Sequence, residues 1–363
     1  MPKQVSNRMK IVADENLAFT DYFFAEFGQI QYAHGRLLSA ADVKDSDALL
    51  VRSITKVNET LLAKSQVQFV GSATIGTDHL DIPYLEQNNI DWSNAAGCNA
   101  QAVADYVITA LLAVRPTLLH AGSDFCLGIV GLGNVGSRLA FMAALLGWRV
   151  IGYDPFVQRE QIHQVDWDTL LQSANAISIH VPLTKDIPHA TYHLFDEQVF
   201  AQLAAETILI NSARGPVIQE AALLADIAKT KRTVVLDVFE HEPVISADVL
   251  NAVTLVTPHI AGYSLEGKAR GTQMIYDAFC QHFGFTADKA FESQLPVGEQ
   301  YFVQQDLKQV LADQLSHIYD IYRDDANLRA CLKDGVVDQQ AFDHLRKTYP
   351  LRREWAAHGG PKA

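Results

Sequence analysis

Cysteine is scarce in this sequence, with four residues among 363, and positive charge and long apolar runs are scarce as well. The cysteines are Cys98, Cys126, Cys280 and Cys331. They lie far apart and form no C-x-x-C pair, which argues against a disulfide framework and favours reduced thiols in a cytoplasmic protein. No cluster of side chains has the spacing of metal ligands, so we expect no bound metal.

Lysine and arginine number 29 against 42 aspartates and glutamates, which gives a formal net charge of -13. So acidic a surface does not attract nucleic acid or an anionic membrane. The longest apolar stretch, 102–114, is too short to span a bilayer and contains Asp105, and the first ten residues lack the apolar core of a signal peptide. We therefore expect cytoplasmic localisation, and partners that are neither nucleic acids nor membranes.

Residues 127–154 follow the pattern strand, glycine turn, helix, strand and acid. A β-branched run at 127–130 leads into a G-x-G-x-x-G sequence at 131–136, and a second strand-like run at 150–153 ends in Asp154. This pattern predicts a Rossmann unit that binds a dinucleotide, since the bare glycine motif without its strands, helix and acid would indicate only a turn.

Each residue type in this segment has a separate predicted role. Gly131 makes the tight turn, Gly133 lets the backbone approach a diphosphate, and Gly136 lets the helix pack on the sheet. Asp154 would accept hydrogen bonds from the ribose hydroxyls and repel a 2'-phosphate, which favours NAD over NADP. The cofactor-binding residues predicted here are Gly131, Gly133, Asn134, Val135, Gly136 and Asp154.

The chain before this segment predicts a first α/β unit, with strand-like runs alternating with segments of helical period. The runs are 10–13, 48–51 and 67–70. Ligands of an open parallel sheet lie beyond the carboxyl ends of its strands, where this chain has Arg52, Ser53 and the small-residue loop 71–77. These residues could form an anion cradle, but the loop could equally be a turn that leads to a helix cap.

Three later strand-like runs each lead to a polar residue suited to chemistry. The runs are 207–210, 233–236 and 253–256, followed by Arg214, Glu242 and His259. Arginine grips a carboxylate with its planar fork, histidine exchanges a proton near neutral pH, and a glutamate can hold the imidazole ring. Singly, each could be an ordinary loop residue. Together, beside a glycine loop, they favour oxidation of a 2-hydroxy acid or reduction of a 2-oxo acid.

These motifs resemble the D-isomer-specific 2-hydroxyacid dehydrogenase family over about residues 9–285. The segments that carry the likeness are 131–136 with Asp154, 211–215, 237–243 and 258–260. The resemblance implies NAD as cofactor, Arg214 as carboxylate binder and His259 as acid/base. It also implies Glu242 as the partner of His259 and Asp237 as a ligand of the nicotinamide carboxamide.

A narrower set of segments resembles the branch of this family that oxidises 4-phospho-D-erythronate in pyridoxal 5'-phosphate (vitamin B6) biosynthesis. The segments are 52–58, 72–81, 96–100 and 260–272. This resemblance implies that Ser53, Thr74 and Tyr263 contact substrate and that Gly262 contacts NAD. Arg52 joins them because it lies in the same anion cradle. Two alternatives remain: a dehydrogenase acting on glycerate or 3-phosphoglycerate, or a non-catalytic NAD(H)-sensing protein.

We therefore predict an α/β protein with a flavodoxin-like substrate-binding domain at 9–99, completed by about 265–285, and a Rossmann NAD-binding domain at 100–264. The amphipathic stretch 307–322, together with the resemblance, predicts a small α+β dimerisation domain at 286–358 and hence a homodimer. Basic residues near the C-terminus form either a solvated face or a contact to a substrate phosphate across the dimer interface. The eight residues before the first strand are expected to be a disordered leader.

Overall fold

The computed structural model describes residues 9–362, which divide into two compact units. The first comprises 9–99 with Ser264–Val297, and the second comprises Ala100–Tyr263 with 298–362. The predicted N-terminal leader lies outside the described residues. Parallel sheets and helices make up both units, so the predicted α/β class is confirmed.

Strands and helices alternate along most of the chain. The strands are β1 Met9–Asp14, β2 Gly28–Ala33, β3 Ala48–Val51, β4 Phe69–Ser72, β5 Asp91–Asn94, β6 Cys126–Val130, β7 Arg149–Tyr153, β8 His163–Gln164, β9 Ala176–Ile179, β10 Ile208–Asn211, β11 Val234–Leu236, β12 Ile245–Ser246, β13 Leu255–Val256 and β14 Val336–Val337. The α-helices are α1 Thr20–Phe24, α2 Ala40–Val43, α3 Glu59–Leu62, α4 Ile82–Gln87, α5 Ala100–Val114, α6 Asn134–Leu145, α7 Trp167–Ser173, α8 Glu197–Phe200, α9 Glu220–Thr230, α10 Ala247–Ala252, α11 Leu265–Phe283, α12 Leu307–Ile318, α13 Ile321–Ala330 and α14 Gln339–Lys347.

The first unit contains a parallel sheet in the order β2-β1-β3-β4-β5, the flavodoxin-like order that was predicted. Alternate residues of β3 enter two separate cores, Leu50 on one face and Leu49 on the other. Inner strands buried on both faces are continuous apolar runs, and for that reason β1, β3 and β4 could be predicted. The edge strands β2 and β5 could not, since they carry exposed polar side chains such as Gln29 and Asp91.

Helix α11 follows the second unit along the chain but belongs to the first unit, whose core it completes. The Ser264 side chain caps its start by accepting a hydrogen bond from the Gly267 N–H at 2.8 Å, and Gly284 ends it with φ 73°. Its buried face meets α1 and β4: the Phe279 ring centroid lies 5.3 Å from that of Phe24 and 5.9 Å from that of Phe69. The apolar face of α11 thus supplies much of this core.

The second unit contains a parallel sheet in the order β13-β11-β10-β9-β6-β7-β8. The chain starts at β6, winds outward through β7 and β8, then returns to the other side of β6 with β9. This reversal is the switch point at which doubly wound sheets bind their ligands, beyond the carboxyl ends of the strands. The predicted Rossmann topology is confirmed, and it places the glycine loop after β6 at the switch point.

Within the second unit, residues 298–362 pack onto the part formed by Ala100–Tyr263. Strand β14 pairs antiparallel with β12, and the side chains of Leu328 and Phe342 are buried in the same core as Leu250. The predicted amphipathic stretch 307–322 is interrupted, because the Asp320 side chain starts a new helix, α13, by accepting a hydrogen bond from the Arg323 N–H at 3.2 Å. The C-terminal residues therefore share a core with the Rossmann sheet.

Within residues 9–362, no helix is both long enough and apolar enough to cross a membrane. Nor do those residues contain a group of three or more histidine, cysteine, aspartate or glutamate side chains arranged to hold a metal ion. The four cysteines are free, and burial raises the pKa of the Cys280 thiol to about 11. This thiol is therefore a poor nucleophile at neutral pH.

Replacing Phe279 by alanine should lower the free energy of unfolding by about 3–5 kcal/mol, because it removes a fully buried aromatic ring and leaves a cavity. Urea denaturation followed by circular dichroism measures the change. Phe156→Ala is the control, since that ring is 68% exposed, and it should cost under about 0.5 kcal/mol. Equal losses in the two variants would contradict this account of the α11 core.

Candidate active site

The loop after β6 is closed tightly by two of its glycines. Gly131 has φ 93°, and a Cβ there would lie 2.5 Å from the His180 carbonyl oxygen. A Cβ on Gly136 would lie 2.0 Å from the Gly131 carbonyl oxygen. Neither position has room for a side chain, so both glycines are required by the backbone geometry.

The middle glycine has the opposite environment. Apart from Gly133 and its two chain neighbours, no described residue has an atom within 4 Å of where a Cβ of Gly133 would be, and Gly133 precedes α6 without a side-chain cap. The first N–H groups of a helix have no acceptor within it, and here they include those of Asn134 and Val135. Open space beside these donors and the positive end of the helix dipole fits a diphosphate group. The structure thus brings five of the predicted cofactor-binding residues together.

Asp154 follows β7 and is tied to the glycine loop. Its Oδ2 accepts a hydrogen bond from the Leu132 N–H at 2.8 Å, and its Oδ1 accepts from the N–H groups of Phe156 at 2.9 Å and Val157 at 3.0 Å. A carboxylate has about four acceptor positions, so capacity for a ribose hydroxyl remains. The sequence had indicated only the ribose contact and not this structural role.

Three adjacent strands, β10, β11 and β13, end at one edge of the second sheet and lead to Arg214, Glu242 and His259. The His259 Nδ1–H donates to Glu242 Oε2 at 2.9 Å, and Glu242 Oε1 accepts from the Phe239 N–H at 2.8 Å. Burial raises the pKa of Glu242, but His259 and the Phe239 N–H outweigh it, so that pKa lies below its usual value. An ionised Glu242 therefore holds the imidazole ring.

The opposite ring nitrogen of His259, Nε2, has no hydrogen-bond partner within residues 9–362, and about a third of the side chain is exposed. The backbone of His259 has φ 55°, the left-handed region that is strained for a residue other than glycine. Such strain persists only where the surroundings fix the backbone, and it concentrates at functional sites. The ring is therefore held by Nδ1 and presents Nε2 for proton exchange.

The buried carboxylate of Asp237 fixes this backbone. Oδ1 accepts from the Thr257 hydroxyl at 2.6 Å and the Ile260 N–H at 2.8 Å, while Oδ2 accepts from the Ala261 N–H at 2.9 Å. The main-chain carbonyl of Asp237 accepts from the His259 N–H at 2.8 Å. Burial raises the pKa of Asp237, although His259 and these hydrogen bonds oppose the change. Asp237 thus positions the loop that carries the histidine.

Arg214 is brought close to the same loops by its glycine neighbour. A Cβ on Gly215 would lie 1.8 Å from the Phe239 carbonyl oxygen, so glycine lets the loop after β10 lie against the loop after β11. The Asn211 side chain braces the turn by donating to the Arg214 carbonyl at 2.9 Å and accepting from the Ala213 N–H at 3.0 Å. The guanidinium is half-buried.

The residues after His259 form a tight turn in which the Tyr263 N–H donates to the Ile260 carbonyl at 2.8 Å, and this turn contains Gly262. Arg352, from the C-terminal segment, clamps it from outside. Its buried guanidinium donates to the carbonyls of Ile260 at 2.8 Å, Tyr263 at 3.2 Å and also Ala261. Sequence reasoning missed this clamp, because a pairing across about ninety positions leaves no local signal.

The remaining predicted residues, Arg52, Ser53 and Thr74, lie in the first unit. The Val51 carbonyl accepts from the Ala73 N–H at 3.0 Å, so the loops after β3 and β4 adjoin. Arg52 Nε donates to the buried carboxylate of Asp14 at 3.0 Å, which leaves the terminal nitrogens of the guanidinium available for an anion.

The Thr74 hydroxyl belongs to a short polar chain in the first unit. It shares a hydrogen bond of 2.8 Å with the Ser72 hydroxyl, which shares another of 2.9 Å with His79 Nε2. Burial lowers the pKa of His79 and keeps the ring neutral. Sequence reasoning had not assigned roles to Asp14 or His79, although Asp14 stands directly at the carboxyl end of β1.

Comparison with known proteins finds a family-model match in each part of the second unit. Residues 117–261 match the family model of the D-isomer specific 2-hydroxyacid dehydrogenase, NAD binding domain, so NAD is the cofactor. Residues 298–358 match a domain of unknown function, DUF3410. A solved D-lactate dehydrogenase with NAD+ from Lactobacillus jensenii shares the fold with a TM-score of 0.64 and 24% identity, covering 77% of this chain and 98% of that chain.

Curated relatives match over nearly the whole length. A protein of Acinetobacter baumannii named erythronate-4-phosphate dehydrogenase is 69% identical over 98% of this chain and 100% of its own length. A protein of the same name from Acinetobacter baylyi is also 69% identical, with the same coverage. The chain therefore belongs to the erythronate-4-phosphate dehydrogenase group of the D-isomer-specific 2-hydroxyacid dehydrogenase family.

Proposed function

We propose that this protein oxidises 4-phospho-D-erythronate at C2 to 2-oxo-3-hydroxy-4-phosphobutanoate, a step of pyridoxal 5'-phosphate biosynthesis. The main support for this reaction is the hydrogen bond between His259 and Glu242. These residues follow strands of the same sheet whose glycine loop fits a dinucleotide. The name shared by relatives 69% identical to this chain supports the substrate.

The catalytic base is His259. Its Nε2 takes the proton of the C2 hydroxyl while the C2–H bond breaks, and Glu242 stabilises the imidazolium that forms. NAD, when bound, supplies the ring carbon that accepts the departing hydride, so the products are a ketone, NADH and a protonated histidine. Arg214 binds the carboxylate beside C2 with its planar fork and orients the C2–H bond.

The cofactor contacts follow from the second unit. The loop Gly131–Gly136 and the N–H groups of Asn134 and Val135 hold the diphosphate. The remaining acceptor capacity of Asp154 serves the adenosine ribose and disfavours a 2'-phosphate. Asp237 and Gly262 lie beside the histidine loop and contact the nicotinamide end.

The substrate phosphate binds to Arg52, Ser53 and Thr74 of the first unit. Support comes from the pairing of Arg52 Nε with Asp14, which presents the terminal guanidinium nitrogens, and from the hydroxyls of the adjoining loops. Tyr263 contacts the substrate from the turn after His259.

We also propose that the protein is a cytoplasmic homodimer that associates through residues 286–358. Apolar side chains exposed there support an interface: Val297 is 90% exposed and Tyr322 is 58% exposed. Free cysteines support a reducing compartment. Sedimentation equilibrium should give about twice the chain mass of 40.1 kDa, and a mass equal to one chain would contradict the dimer.

The assay of function measures NADH formation from NAD and 4-phospho-D-erythronate, with D-erythronate, D-glycerate and 3-phosphoglycerate as comparisons. A 2-oxo acid acceptor is added, so that trapped NADH does not hide turnover. We expect kcat/KM for the phosphorylated substrate to exceed that for D-erythronate by at least about tenfold, the worth of one charge-assisted contact.

In the same assay, Arg52→Met should show a smaller preference for 4-phospho-D-erythronate over D-erythronate. Lys64→Met, a change at an exposed lysine, should show the same preference as the parent protein. Equal rates with and without the 4-phosphate would refute the substrate assignment. NADH binding without turnover of any hydroxy acid would instead point to a sensing protein.

Glu242→Gln should lower kcat and move the acid limb of the profile of kcat/KM against pH to lower pH, because the protonated form of His259 loses its carboxylate partner. Glu240→Gln is the matched control. It disrupts a neighbouring carboxylate–histidine contact, to His193 at 2.5 Å, and should leave the limb in place. An unmoved limb in Glu242→Gln would remove Glu242 from this role.

A further inference from the structure

Arg346 lies in the last turn of α14, in the segment that matches a domain of unknown function. Its guanidinium carbon is 5.7 Å from the centroid of the Tyr263 ring and 5.6 Å from that of Phe342. Phe342 is buried, and the Tyr263 ring also meets Tyr349 edge-on, with centroids 6.0 Å apart. The C-terminal segment therefore places the Arg346 guanidinium beside the ring of Tyr263, the residue that ends the turn after His259.

The Nε atom of Arg346 is buried and finds no hydrogen-bond partner within residues 9–362. A buried N–H group normally has an acceptor, since each unpaired buried donor is costly, and the residue as a whole is half-buried, which leaves its terminal nitrogens within reach of a ligand. The next residue, Lys347, is exposed on the same turn. Arg346, with its buried Nε, therefore differs from a basic residue on a solvated helix face such as Lys347.

Arg346 is also one of the positive groups that act on Glu242. Burial opposes ionisation of Glu242, and the positive charges of His259 and Arg346 favour it. Among the described contacts Arg346 forms no hydrogen bond or ion pair with Glu242, whose oxygens accept from His259 and from the Phe239 N–H. Its guanidinium is left to serve another acceptor at the same site.

We propose that Arg346 is a substrate-binding residue that donates hydrogen bonds to an anionic oxygen of the hydroxy acid, a carboxylate or a phosphate. The proposal rests on the function proposed above, in which Tyr263 contacts substrate. It places this contact within one chain, because Arg346, Tyr263 and Glu242 all belong to the same unit. The segment 298–358 then supplies a residue that a two-domain dehydrogenase of this fold lacks.

The test compares Arg346→Met and Arg346→Lys with Lys347→Met as matched control, using 4-phospho-D-erythronate and D-erythronate. We expect Arg346→Met to raise KM at least tenfold with a smaller change in kcat, Arg346→Lys to recover part of the loss, and Lys347→Met to match the parent protein. An increase confined to the phosphorylated substrate identifies the phosphate as the bound group, and an increase with both identifies the carboxylate.

Two further measurements separate binding from folding and from the assigned activity. NADH affinity, followed by fluorescence, should stay unchanged in Arg346→Met. Oxalate and inorganic phosphate need no turnover and probe the two anionic groups separately. In calorimetry at least one of them should bind the NADH-loaded parent protein more tightly than Arg346→Met. If the parent protein fails to oxidise the proposed substrate, the comparison of oxalate and phosphate affinities still decides the role of Arg346.

The proposal is overturned if KM and the affinities for oxalate and for inorganic phosphate are all unchanged in Arg346→Met. It is equally overturned if only the acid limb of the pH profile moves, because Arg346 would then act through Glu242 and not on the substrate.

Discussion

The loop that carries His259, the proposed catalytic base, depends on the buried carboxylate of Asp237. Its hydrogen bonds from Thr257, Ile260 and Ala261 fix the chain before and after the histidine, and its main-chain carbonyl fixes His259 itself. A histidine with a positive φ is held only by such surrounding contacts. Glu242 can then orient the ring with a single hydrogen bond, because the backbone beneath the ring has no freedom left to move it.

Much of the fold could be predicted because buried parallel strands are continuous apolar runs. The runs at β1, β3, β6 and β10 have this character, and the glycine spacing of 131–136 marked the switch point. Arg214, Glu242 and His259 could be grouped from sequence alone, since neighbouring parallel strands end at one edge. The polar edge strands β2 and β5 gave no such signal.

The remaining parts of the site depend on the directions of hydrogen bonds in the folded chain, which sequence patterns do not encode. Asp154, proposed to bind the ribose, also accepts hydrogen bonds from three backbone N–H groups, and Asp237 accepts them from the loop that carries His259. These N–H groups lie next to the two carboxylates only in the folded chain. Arg352 meets its carbonyl partners about ninety positions away. Asp320 interrupts a continuous amphipathic pattern, since one capping side chain outweighs apolar periodicity.

The clamp formed by Arg352 has a consequence for how the protein is made. A ribosome adds about 5–20 residues each second, and the glycine loop, the histidine and its glutamate are all synthesised before Arg352. Until that arginine emerges, the carbonyls of Ile260, Ala261 and Tyr263 lack their common donor. The same C-terminal residues also fill part of the core of the Rossmann sheet, where Trp355 and Leu328 are buried. Both the core and the turn after His259 are therefore completed only when synthesis reaches the end of the chain.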